Sequence, residues 1–208
     1  RLLDAVAGAA HTAGAIPMVV NLVSPMGVGK AADPMLPVEP LAAALSHTDA
    51  WVEFNTQWLL YSTPFERAMA ANKKLRYMCL CEMTVDMMVR LIGRIDAAAL
   101  SRFMRRVAEM NRQATSGRIT TPSGQDISFK MLPKTRPVSC DDGLADKPGM
   151  RFLAGQITIV PDFDSINGTL VFDGTIAPPV GFLKEPVVMD IAQGRIAGIS
   201  GGPQADEF

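Results

Sequence analysis

Two spacings of apolar residues alternate through the first half of the chain, and they predict alternating helices and strands. From Leu2 to Ala13 the apolar positions recur at helical spacing and stop before Gly14, a natural left-handed helix end. Ile16–Val23 is a compact β-branched run, which predicts a strand buried on both faces of a parallel sheet. A Pro- and Gly-rich loop runs from Ser24 to Pro37, and Pro40 fits the first turn of a short helix through His47. Trp51–Asn55 is the next strand, with Glu53 interrupting its apolar character. In Thr63-Pro64-Phe65-Glu66, Thr63 can cap a helix, Pro64 has no amide hydrogen to leave unpaired, and Glu66 can reach back to complete a capping box. Leu75–Cys81 is a third strand. Thr84 and Asp86 open a methionine-rich helix that Gly93 closes. A longer helix begins near Asp96, with Leu100, Phe103, Met104, Val107 and Met110 as its expected buried stripe.

After Thr115 the pattern is strands and turns only. Arg118–Pro122 and Ile127–Leu132 come first, and Phe152 to Gly202 reads as a β-meander. Ile157 and Ile159 stand before, and Thr169 to Phe172 after, Asn167-Gly168, a dipeptide suited to a tight hairpin turn. Val187–Ile191 and Arg195–Ser200 are joined across Gln193-Gly194. Pro133–Gly149, with three prolines and two glycines, reads as an exposed excursion. Alternating β/α units followed by strands predict an α/β class with two domains. Residues 1–116 form a Rossmann-like α/β domain with a parallel sheet, its first strand missing, and 117–208 the start of a β-rich (α+β) domain. The boundary falls near Ser116-Gly117.

Composition narrows the function classes. Nearly half of the 208 residues are apolar and a fifth are charged, as in a soluble globular protein with ample core. A net charge of −1 gives no field to attract nucleic acid or an anionic membrane, and Arg102, Arg105, Arg106 and Arg112 read as a solvated helix face. No apolar run reaches the roughly 18 residues of a membrane helix. Arg1 leads straight into an amphipathic helix with no secretory signal, and Gln204 to Phe208 resembles the first turn of a further helix, so both ends read as cuts through a longer protein. Three cysteines, Cys79, Cys81 and Cys140, suit a reducing cytoplasm.

Candidate chemistry is sparse. Gly27-Val28-Gly29-Lys30 fails as a phosphate loop, because Ser24 stands where the first Gly would fall and Ala31 replaces the hydroxyl residue. Cys79-x-Cys81 lacks a second Cys or His pair at zinc spacing, so both thiols are expected to be buried and inert. Asp162-Phe163-Asp164 misses calcium-loop register and is expected to cap a turn. His11 and His47 are the only histidines, too few for the usual imidazole metal site. Two polar loops lie where α/β domains place ligands: Asn55-Thr56-Gln57-Trp58 with Tyr61 and Ser62, and Glu82-Met83-Thr84. Helix capping with an aromatic anchor and a cleft wall are both open readings of them.

The wording of the meander and of the helix pair Met83–Asn111 resembles the thermophilic metallopeptidase (aminopeptidase T-like) family, and more closely its branch of 2,5-dihydroxypyridine 5,6-dioxygenases. In the peptidase branch, the segment resembling Leu153-Ala154-Gly155-Gln156 ends in a glutamate metal ligand, whereas here Gln156 is a neutral amide. An amide is a weak partner for a two-metal site, which agrees with the ring-cleaving branch and its single Fe(II) held by two histidines and one carboxylate. The resemblance implies that those three ligands belong beyond Phe208, so it assigns no catalytic residue and no metal ligand to this chain. It implies instead a truncated scaffold of a dioxygenase acting on a hydroxylated pyridine, inactive by itself and binding no metal. Gln156 is expected on the substrate side, with Asn55, Trp58 and Thr84 from the two loops. The alternatives are an aminopeptidase using two zinc or cobalt ions, and a non-catalytic binding or oligomerisation module. The expected partners are a small-molecule substrate and further copies of the chain in a homo-oligomer, with no nucleic acid and no membrane.

Overall fold

The structure is a computed structural model that describes residues 2–132, 134–176 and 181–207. In chain order its helices are α1 (Leu2–Thr12), α2 (Val38–Ser46), α3 (Thr63–Ala71), α4 (Val85–Met88) and α5 (Ala97–Gln113). The strands are β1 (Ala50–Glu53), β2 (Arg76–Cys79), β3 (Ser116–Thr120), β4 (Asp126–Lys130), β5 (Ser139–Asp141), β6 (Gly149–Arg151), β7 (Gln156–Thr158), β8 (Asn167–Phe172), β9 (Thr175–Ile176), β10 (Gly181–Phe182), β11 (Val187–Ala192) and β12 (Arg195–Gly201). They form two compact units, Arg1–Arg105 with Cys140–Gln156, and Arg106–Ser139 with Ile157–Phe208. Because the units interleave, the cut expected near Ser116-Gly117 marks where helix gives way to strand.

The first unit carries a parallel sheet in the order β1-β2-β6. Leu36, Leu41, Leu45, Leu59, Ala68 and Leu75 form its core. Trp51, Phe65 and Tyr77 stack beside it, with ring centroids of Trp51 and Tyr77 4.4 Å apart. Helix α3 starts one residue earlier than expected. Ser62 is the cap, its Oγ accepting from Phe65 N at 3.4 Å, because Thr63 donates its amide and hydroxyl to the Asp33 carboxylate at 2.9 and 2.6 Å. Glu66 pairs with Lys30 at 2.5 Å and closes no capping box.

Three further expectations are corrected. Ile16–Val23 forms no strand and lies exposed, Ile16 at 99%; Leu22 alone of the run packs against the core cluster. A β-branched run becomes a strand only where a sheet edge pairs with it, and here the third strand comes from Gly149–Arg151. Pro133–Gly149 is accordingly no exposed excursion over its described part: Val138 and Asp142 are buried, and Gly149 opens β6 (Pro133 lies outside the described residues). Helix α5 buries Ser101 and Ala108, while Phe103 and Met110 are 63% and 59% exposed. Asp142 selects that face, accepting from Ser101 Oγ at 3.0 Å and Arg105 Nε at 2.7 Å, a buried carboxylate that would be costly without them.

The second unit is built on a five-stranded antiparallel sheet, β12-β11-β8-β4-β3. Strand β4 shows the period of two, with Ile127 and Phe129 buried between exposed Asp126, Ser128 and Lys130. The expected hairpin at Gln193-Gly194 forms with φ of 51° and 72° at its two central residues. Asn167-Gly168 makes no hairpin turn; both residues belong to β8 and pair with β4, and Gly168 pairs with β11 as well. The glycine freedom is used there for a close strand approach, at φ 123°. The C-terminal turn is a 3-10 helix over Pro203–Glu207, and Phe208 lies outside the described residues. Among the described residues no helix is long and apolar enough to cross a membrane.

Candidate functional site

Parallel pairing sets Glu53 beside Cys79 at the carboxyl ends of β1 and β2. Tyr77 stands two residues earlier, and the period of two puts it on the same face of β2 as Cys79. Beyond β2 the chain turns at Glu82 with φ 57°, and two backbone bonds fasten the loops: Leu80 N donates to Glu53 O at 2.9 Å and Glu82 N to Asn55 O at 3.1 Å. The Cys81 thiol therefore returns toward the strand ends.

Glu53 is the centre of this arrangement, with a side chain only 2% exposed. Its Oε1 accepts from Leu59 N at 2.6 Å, Asn55 Nδ2 at 3.1 Å and Cys81 Sγ at 3.2 Å, and its Oε2 accepts from the Tyr77 hydroxyl. Cys79 Sγ donates to Cys81 Sγ at 3.5 Å. Carboxylate and thiols thus lie within 4.8 Å of one another, and both cysteines are half-buried. Neither cysteine is the fully buried core thiol expected from the sequence. Their third partner comes from another strand.

The thiols are driven apart in acidity. The hydrogen bond with Cys81 lowers the Cys79 thiol to about 6, against burial and with help from Tyr77, because the Cys79 sulfur takes the accepting role in that bond once it ionises. Cys81 is pushed well up by the same hydrogen bond, then by burial and by the Glu53 carboxylate. Burial first and Glu53 second push the Tyr77 phenol well up. The signs define a pH response. Depression of Cys79 adds stability as pH rises from about 6 toward 9, because the unfolded chain holds more protons there. Elevation of Cys81 and Tyr77 gives stability that is present below their unfolded values and lost as pH rises beyond about 9 to 10. A melting series should accordingly show a maximum below pH ~9 and a steep fall above it, and Tyr77→Phe should flatten the fall.

Of the residues expected on the substrate side, only Asn55 reaches this cluster, where its amide is spent on Glu53. Trp58 lies in the same loop with its side chain 45% exposed, its carbonyl accepting from Gly29 N at 3.3 Å. Thr84 caps α4 by accepting from Met87 N at 3.2 Å. Gln156 is exposed at the head of β7. Sequence reasoning missed Glu53, Tyr77 and the thiols as a group; the one signal was an acid inside an apolar strand. The second unit has its own shallow depression of about 410 Å³ between Arg118, Lys130 and Ser165, but Arg118 is committed to Asp126 at 2.6 and 2.7 Å.

The family model described as NicX, 2,5-dihydroxypyridine 5,6-dioxygenase, matches residues 1–208. The curated 2,5-dihydroxypyridine 5,6-dioxygenase of Pseudomonas putida KT2440 is 31% identical over 99 residues, covering 46% of this chain and 28% of that protein. The solved structure of 2,5-dihydroxypyridine dioxygenase from the same organism shares the fold, with a TM-score of 0.62 at 22% identity. That match covers 93% of this chain and 54% of the solved one, so the chain spans about half the length of its solved relative.

Proposed function

This chain belongs to the NicX family of 2,5-dihydroxypyridine 5,6-dioxygenases, and from that premise we propose that it serves as scaffold and substrate-side wall in the oxidative opening of a hydroxylated pyridine ring. The observation that carries this reading is the family match over all 208 residues. Ring opening with O₂ in such an enzyme would draw on Fe(II) held by two histidines and a carboxylate. The residues present do not fit that set. His11 and His47 are exposed on α1 and at the end of α2, and the ligand cluster among the described residues contains neither. The contribution proposed for these residues is therefore binding and orientation.

Three of the substrate-side residues divide this work, while Thr84 serves as the cap of α4. The half-exposed indole of Trp58 offers a flat apolar face to a flat ring. The Gln156 amide can donate to a ring hydroxyl oxygen and accept from a ring N–H. Asn55 holds its loop through Glu53 and acts as a positioning residue. The test is a chimaera in which these 208 residues replace the matching region of the Pseudomonas putida enzyme, supplied with Fe(II), O₂ and 2,5-dihydroxypyridine. The chimaera should consume the ring, and Gln156→Ala should lower turnover about tenfold, the loss of one substrate hydrogen bond. A folded chimaera without turnover overturns the reading; unchanged kinetics in Gln156→Ala remove that residue from the site.

A further inference from the structure

We propose that Glu53, Cys79 and Cys81 form a binding site for a zinc-class divalent cation. Two thiols and one carboxylate make a mixed sulfur and oxygen donor set of the kind zinc accepts. The spacing fits as well. A tetrahedral zinc with bonds of about 2.3 Å to sulfur and about 2.0 Å to oxygen holds its ligand atoms roughly 3.5 to 3.8 Å apart. The sulfurs of Cys79 and Cys81 are 3.5 Å apart, and Cys81 Sγ is 3.2 Å from Glu53 Oε1. Any proton on these two lines is displaced by the cation, which takes both sulfurs as thiolates while the protons pass to solvent.

The carboxylate is already oriented for the task. Leu59 N and Asn55 Nδ2 hold Oε1, and the Tyr77 hydroxyl holds Oε2, the outer hydrogen bonds that fix a ligating carboxylate in metal sites. Three ligand charges against a divalent ion leave one net negative charge near the end of the sheet. The half-buried thiol side leaves the fourth position to water, the arrangement of an open zinc site. The competing fate of two thiols this close is a disulfide, which would remove both ligands.

The test is titration of the fully reduced, metal-free 208-residue chain with Co²⁺ under argon, read by thiolate-to-cobalt absorption in the near ultraviolet. Saturation at one Co²⁺ per chain is expected, with the intensity of two thiolate bonds and full displacement by Zn²⁺. Cys81→Ser should halve the absorption and weaken binding at least about tenfold, while Cys140→Ser leaves both unchanged. Cys81→Ser, with its folding checked by circular dichroism, carries the test. No thiolate band with reduced protein overturns the proposal, as does a band that survives in Cys79→Ser/Cys81→Ser or an oxidised pair that forms as soon as reductant is withdrawn even in the presence of Zn²⁺.

Discussion

Replacing Glu53 by alanine should lower the unfolding free energy of the first unit by about 4 kcal/mol, one of the two largest effects expected from any single substitution here. The carboxylate accepts four hydrogen bonds in a nearly closed environment. Its removal strands Leu59 N and the fully buried Tyr77 hydroxyl, and each orphaned buried donor costs about 1 to 3 kcal/mol. The cavity left by the side chain adds to this. Glu53→Gln keeps an acceptor for Leu59 N and should lose only about 2 kcal/mol. Urea unfolding followed by tryptophan fluorescence reads the change locally, since both tryptophans, Trp51 and Trp58, lie in the first unit. A loss of less than ~1 kcal/mol in the alanine variant would mean that Glu53 is only a passenger in the sheet.

In the second unit, Gly168→Ala should cost about 3 kcal/mol or more. A Cβ at this position would lie 2.1 Å from Asp126 O and 3.1 Å from Ile127 Cα, so β4 and β8 could not keep their pairing. The φ of 123° adds strain for any L side chain. Gly124→Ala separates the two contributions, because its φ is 99° but nothing lies within 4 Å of the added carbon. That control should lose about 1 kcal/mol. Comparable losses at both positions, in thermal melts of the two variants, would show that backbone strain and not strand contact fixes Gly168.

How much of this was legible in the sequence depends on where each element finds its partners. The α/β class, the β4 alternation at Ile127 and Phe129, and the Gln193-Gly194 hairpin rest on neighbours within a few residues, and local pattern reveals them. Ile16–Val23 has the composition of a buried strand yet forms none, because pairing is a property of the sheet edge and not of the run. Gly149–Arg151 has almost no strand signature, but it takes the edge beside β2. Asn167-Gly168 has the signature of a turn because the same freedom at φ serves both a hairpin and a close strand approach. Glu53 looked like an interruption because Leu59, Tyr77 and Cys81, the groups that satisfy it, lie 6, 24 and 28 residues further along. For the same reason Cys79 and Cys81 looked inert: a ligand set assembled across two strands has no spacing to recognise.

The ring-opening assignment is tested most directly by ¹⁸O₂ labelling in the chimaera that carries these residues in place of the matching Pseudomonas putida region. Loss of 2,5-dihydroxypyridine with both atoms of one O₂ in the ring-opened product is the expected result. A folded, iron-loaded chimaera that leaves the pyridine ring intact contradicts it.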